Sequence, residues 1–225
     1  MKRLLAAAIA AAIILSGCSL SSRPAESAPP TRTPSPSPTP VVTPTPEPEP
    51  ADDELVLVRD YIPGIFIDLK YATTDNFTGR VIYDSDEAYL RYGTVKKLLC
   101  AQNELSGRGL SLKIWDAYRP VSAQFKLWEI CPNPVYVSDP NNGYSKHSRA
   151  NTVDITLVTD TGESISMPSG FDDFTSLADR DYSDVSAEAA ENARLLENVM
   201  VENGFVPYSG EWWHYSDSVA YDVYG

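Results

Sequence analysis

The chain has 225 residues, of which 43% are hydrophobic, 10% aromatic and 22% charged, and its formal net charge is −13. That length allows one or two domains, and so acidic a surface repels phosphate backbones, which argues against nucleic-acid binding. No run approaches the roughly 20 apolar residues that a membrane-spanning helix needs.

Lys2 and Arg3 precede a 12-residue apolar stretch, Leu4 to Leu15. This has the length of a signal-peptide hydrophobic region and is too short to span a bilayer. Leu15-Ser16-Gly17-Cys18 follows, and small residues before a cysteine resemble the lipobox of bacterial lipoproteins. The resemblance implies removal of residues 1–17 as a signal peptide and acylation of Cys18. Two or three acyl chains then hold the protein to the membrane on its extracellular or periplasmic side. An ordinary secretory signal with an incidental cysteine is the alternative.

Residues 18–53 form the next expected unit, the lipidated cysteine and a linker. Positions 19–53 contain 11 Pro and 11 Ser or Thr, with no Gly and no aromatic residue. Such a segment cannot bury enough apolar surface to offset its ordering entropy. The proline runs favour an extended polyproline II state with a reach on the order of 110 Å. All the aromatic residues come after Glu54, so residues 54–225 are expected to fold as one domain and to carry the function. Cys100 and Cys131 remain as a candidate disulfide, which would close a loop of about 32 residues; two buried free thiols are the alternative.

Within the domain, Ile65–Leu69 reads as a short strand and Thr94–Leu105 as a helix on the spacing of Val95, Leu98, Leu99 and Leu105. Leu110–Trp115 alternates like a half-buried strand, and Pro120 opens a helix running to Ile130. Thr152–Val158 is a strand ending at a turn near Asp160 and Gly162. Ser186–Asn203 is the longest helix, with Ser186 as N-cap and Gly204 as the C′ residue. Phe205–Pro207 and Trp212–Tyr215 read as closing strands. Without a regular strand–helix–strand rhythm the class is α+β. Trp115, Phe125 and Trp128 are expected in the core, with Trp212 and Trp213 split between core and site.

The chain has two histidines, His147 and His214. A catalytic zinc takes three nitrogen or oxygen ligands and leaves one position for water, and His147, Asp154 and His214 would supply them. Glu211 is the candidate to take the proton of the water. Residues 211 and 214 point to opposite faces of a flat strand, so this reading requires Glu211 to sit at a strand start, a turn or a bulge. The bland alternative is two surface histidines with acids nearby.

The pattern SxHxxxxxxD followed by ExWH is that of bacterial zinc D,D-peptidases. Four blocks, Tyr71 to Gly79, Trp115 to Pro120, Ser145 to Leu157 and Glu211 to Tyr215, resemble the D-alanyl-D-alanine dipeptidases of the vancomycin-resistance type, in the family's order. The resemblance implies a single compact domain with a central antiparallel sheet and one zinc ion per chain, bound by His147, Asp154 and His214. It implies Glu211 as general base and acid and Arg119 as stabiliser of the oxyanion, which suits a fixed guanidinium. Ser145 and Asp172 match positions that hold the substrate's free amine, and Asp116 is a candidate to orient Arg119. The expected partner is a D-amino-acid dipeptide or a peptidoglycan-derived peptide, with the membrane contacted through the lipid anchor and no nucleic acid. The alternatives are a zinc D,D-carboxypeptidase that trims peptidoglycan stem peptides and a non-catalytic zinc-dependent wall-binding module. Two departures stand out. Ala150 and Thr152 occupy positions where the family usually has glycine and alanine, and Ala150 conflicts with the fold if that position needs a positive φ.

Overall fold

A computed structural model describes residues 48–225; the leader, Cys18 and the linker up to residue 47 lie outside them. Strand β1 (Leu55–Leu57) runs through one helical turn, α1 (Val58–Tyr61), towards the two-residue strand β2 (Phe66–Ile67). Strand β3 (Tyr89–Arg91) returns to pair antiparallel with β1 as a separate small sheet. β1, α1 and β3 have three or four residues each, too few for a periodic signal. The folded part also reaches further back than position 54. The Tyr92 hydroxyl donates to Glu49 and the Lys96 ammonium pairs with Asp52.

Helix α2 (Tyr92–Ser106) buries Val95, Leu98, Ala101 and Leu105. It leads into β4 (Leu110–Asp116), which ends at the Ala117–Pro120 corner before α3 (Val121–Ile130). Strand β5 (Thr152–Thr159), helix α4 (Ala187–Glu202), β6 (Phe205–Tyr208) and β7 (Glu211–Asp217) complete the fold. The Ser186 side chain caps α4 by accepting from the Ala189 amide, and Gly204, at φ 86°, lets the chain turn into β6.

The main sheet has the order β2-β4-β5-β7-β6. It is α+β as expected, but the sheet is mixed rather than wholly antiparallel. β2 joins β4 in parallel, and the other three pairings are antiparallel. A long connection containing β3 and α2 separates β2 from β4, so the short edge strand need not be a hairpin partner. In the central strand β5, Thr152 to Val158 are all buried. By strand alternation Val153, Ile155 and Leu157 share one face, and they belong to one core with Leu98 and Leu105 of α2 and with Leu196 and Met200 of α4. Thr152, Asp154 and Thr156 share the other face, the one that carries the site. Thr94 and Lys97 of α2 both reach the buried carboxylate of Asp217, tying this helix to the end of β7.

Three expectations are corrected here. Cys100 and Cys131 are free thiols. Cys100 is exposed, because the buried stripe of α2 runs through Leu98, Ala101 and Leu105, which turns position 100 away from the core beside Lys96 and Lys97; Cys131 ends α3. Phe125 is 39% exposed, because Ala123, Gln124 and Leu127 form the inward face of α3. Trp212 and Trp213 do not split. Both are buried, Trp212 against Trp115 and bonded through its ring nitrogen to Ser169, and Trp213 in the core.

Candidate active site

The site is a row of side chains drawn across three adjacent strands. Asp116 of β4, Asp154 of β5 and His214 of β7 are successive cross-strand partners. Regular alternation would put Asp116 on the same face as Ile114. Between Ile114 and Asp116 the ladder slips by one residue against β5, and this bulge turns Asp116 onto the face of Asp154. A second irregularity lies between β6 and β7. Pro207 pairs with Tyr215, whereas the next residue, Tyr208, pairs with Glu211. The extra residues on β7 bring Glu211 and His214 together, with the Glu211 Oε2 3.5 Å from His214 Nδ1. Glu211 is thus both the first residue of β7 and beside a ladder irregularity, two of the settings that the 211–214 spacing allows.

The fourth member comes from a 3-10 turn, Lys146–Arg149, that immediately precedes β5. The Ser145 hydroxyl caps this turn by accepting from the His147 amide, and Ala150 ends it at φ 58°. His147 Nδ1 lies 2.8 Å from the Ala117 carbonyl oxygen. A carbonyl only accepts, so Nδ1 carries the proton and the lone pair of Nε2 faces the row. His147 Nε2 is 3.3 Å from Asp154 Oδ2 and 3.4 Å from His214 Nδ1, and His214 Nδ1 is 2.9 Å from Asp154 Oδ1. One donor atom from each of His147, Asp154 and His214 thus lies within 4.8 Å of the others. Two imidazole nitrogens and a carboxylate oxygen form a donor set suited to zinc, and the fixed His147 tautomer aims its free lone pair at the other two donors.

Asp116, fully buried, organises the back of the site. It accepts from the Tyr83 hydroxyl, from Arg119 Nε and Nη2 and from the Ala117 amide. Its Oδ2 also lies 3.6 Å from His147 Nδ1. Arg119 donates through Nη1 to Gln124 and stacks over the Tyr71 ring, so its guanidinium is held on three sides. Tyr71 in turn donates to Asp172, which takes φ 51° in the loop before α4. Tyr71, Tyr83 and Gln124 were given no role from sequence. Tyr71 lies in a quoted motif, while nothing local marks the other two.

The electrostatics divide the carboxylates. Burial alone would raise Asp154, but the neighbouring His147 and His214 outweigh it and hold this carboxyl far below the usual range. Glu211 moves the other way, raised by burial and by the charge of Asp154, the direction useful in a group that must both take and return a proton. Asp172 is pushed up to about 7 by burial, against the hydrogen bond from Tyr71 and with the help of Asp154. Burial opposes the charge of Arg119, yet Asp116 keeps it protonated.

Ser145 and Asp172 line different cavities. Ser145 lines a cavity of about 280 Å³ with Pro134, Tyr136, Lys146, Glu211 and His214. Asp172 lines another, with Phe77, Trp115 and Phe171.

Fold and site together are those of a metallopeptidase. The family model for Peptidase M15, D-ala-D-ala dipeptidase, matches residues 51–222, and the chain belongs to that family. D-alanyl-D-alanine dipeptidase of Escherichia coli (strain K12) is 39% identical over 162 residues, spanning 72% of this chain and 83% of that one. The enzyme of Enterococcus faecium is 35% identical, over 69% and 87% of the two chains, and that of Streptomyces coelicolor 36% identical, over 72% and 91%. Among solved structures, VanYB in complex with D-alanine-D-alanine aligns with a TM-score of 0.40 at 15% identity, covering 69% of this chain and 86% of that one.

Proposed function

We propose that this protein is a zinc dipeptidase that hydrolyses free D-alanyl-D-alanine at the outer face of a membrane to which Cys18 anchors it. The observation that carries the catalytic reading is the meeting of His147 Nε2, Asp154 and His214 Nδ1 within 4.8 Å of one another, with the Glu211 carboxylate beside them. When bound by these three side chains, zinc supplies Lewis acidity that makes water nucleophilic near neutral pH and polarises the scissile carbonyl. Glu211 takes the proton of the attacking water and returns it to the nitrogen of the leaving D-alanine, as its raised pKa and its place at the row allow. Arg119, held by Asp116 and Gln124, offers its positive charge to the carbonyl oxygen as that atom becomes an anion. Asp172, with Tyr71, receives the substrate's ammonium group, which selects peptides with a free N-terminus close to the cleaved bond.

The leader pattern and the Ser/Thr/Pro linker support an exported, lipid-anchored protein. Export also bears on the substrate, which would be an external dipeptide or one released during wall turnover.

The test pairs metal analysis with product release. The full chain should carry one zinc and liberate D-alanine from D-Ala-D-Ala much faster than from a pentapeptide stem. Glu211→Ala should retain zinc and lose at least about 100-fold in kcat. Preferred release from the pentapeptide would point instead to the D,D-carboxypeptidase, and undiminished turnover in Glu211→Ala would remove the mechanism.

A further inference from the structure

A dipeptide presents two opposite charges, and the proposed reading gives a partner to only one of them. Asp172 meets the ammonium. The carboxylate of the leaving residue needs a partner elsewhere than at Asp172, within reach of an amide held at the metal donors. A cavity separate from the one that Asp172 lines borders those donors, with Ser145, Lys146, Tyr208, Glu211 and His214 in its wall. Glu211 is the acid among its lining residues, and an acid repels a carboxylate. Lys146 is the cation in this lining.

The cation of Lys146 is also available. Arg119 does not line this cavity, and its guanidinium is bonded to Asp116 and Gln124. The Lys146 ammonium, by contrast, is on an exposed residue and has no carboxylate within 4 Å among the described residues. It stands over the Tyr208 ring, with Nζ 5.8 Å from the centroid, and Tyr208 lines the same cavity. Ser145, buried at the cavity wall, stands beside it in sequence. The backbone at Lys146 is fixed because it opens the 3-10 turn whose next residue is His147, so the stem of the lysine starts at a set distance from the metal donors.

We infer that Lys146 is a specificity-determining residue that receives the free C-terminal carboxylate of the substrate, with the Ser145 hydroxyl as its neighbouring donor in place of the amine contact that the family resemblance implies for Ser145. The inference rests on the dipeptidase reading above. The bound dipeptide then runs from Asp172, over His147, Asp154 and His214, to Lys146. Each end is met by the opposite charge, and a longer peptide with an extension at either end forfeits one of these pairings.

The test compares D-Ala-D-Ala with its C-terminal amide, which keeps the ammonium and the scissile bond but lacks the carboxylate. Wild type should favour the acid. Lys146→Met, which keeps the apolar stem, should raise KM for the acid about 10-fold or more, leave kcat within about threefold, and leave the KM of the amide unchanged. Lys146→Arg should recover most of the preference. Zinc content, measured on the same samples, should be equal in all three proteins, which separates lost carboxylate recognition from a disturbed His147. Wild-type hydrolysis of the dipeptide with the same KM in Lys146→Met overturns this inference alone. A Lys146→Met protein whose KM rises equally for acid and amide also overturns it. A wild type that holds zinc yet leaves D-Ala-D-Ala intact overturns the dipeptidase reading, and this inference with it.

Discussion

Ala150 illustrates how a single residue can sit at odds with its backbone. It closes the turn that carries His147 at φ 58° and is fully buried, in a conformation that glycine adopts freely and other residues at a cost of about 1 kcal/mol or more. Alanine is the smallest side chain for which the strain exists. A β-branched replacement should be far worse, and Ala150→Val is expected to lose at least about 2 kcal/mol in urea unfolding. Ala150→Gly should stay within about 1 kcal/mol of wild type, relief of strain being offset by the lost methyl and the freer unfolded chain. Asp172 is a second residue with φ above zero, and its carboxyl is pushed up to about 7, chiefly by burial. A carboxyl kept protonated by the fold retains a proton that the unfolded chain has already lost, so the native state loses stability as pH rises from about 4 to about 7. In metal-free protein, wild type should therefore fall relative to Asp172→Asn by a few kcal/mol across that window, measured as the difference between their unfolding free energies at each pH.

At the scale of elements, the site depends on two ladder irregularities. The slip on β4 turns Asp116 towards Asp154, and the extra residues on β7 bring Glu211 beside His214. The 211–214 spacing signalled a strand start, turn or bulge at Glu211, since a flat strand would separate the two side chains. Nothing in Leu110 to Asp116 signals the bulge on β4, because its alternation reads as a regular strand until its partner's register is known. The helices were legible for the opposite reason: α2 and α4 each present a repeating buried stripe, and Ser186 and Gly204 mark the ends of α4. Asp116 is where these elements meet, joining Arg119, Tyr83 and the His147 side of the row. Asp116→Ala leaves the Arg119 guanidinium buried and without its carboxylate. It should cost about 3–5 kcal/mol in chemical denaturation and weaken zinc binding about 10–100-fold in a competition titration with a chromogenic chelator.

At the scale of the whole molecule, the metal links strands to a turn that lies outside the sheet. An ion held, as proposed, by β5, β7 and the Lys146–Arg149 turn would stabilise only the folded chain. Zinc at 100 times its Kd should therefore add about 2.7 kcal/mol to stability, and chelation should lower the Tm and abolish dipeptide release, with zinc restoring both. The proposed membrane attachment is a separate matter from the site. Cys18→Ser in the full chain should move the protein from the membrane fraction to the soluble one while leaving its specific activity unchanged. Retention in the membrane fraction would argue against a lipid at that residue.

The sequence by itself pointed to side chains that the structure draws together: two histidines, each in a dense motif, and acids at set spacings from them. It also determined the helices and the central strand, because burial of one face writes a period into the chain. Only the tertiary structure decided that the cysteines stay apart, that the edge strand β2 joins in parallel, that Asp116 turns towards Asp154 and that Ser145 and Asp172 line separate cavities. These are properties of register, of bulges and of the direction in which one element meets another. They are settled by contacts between residues remote in sequence, and such contacts leave no local pattern to read.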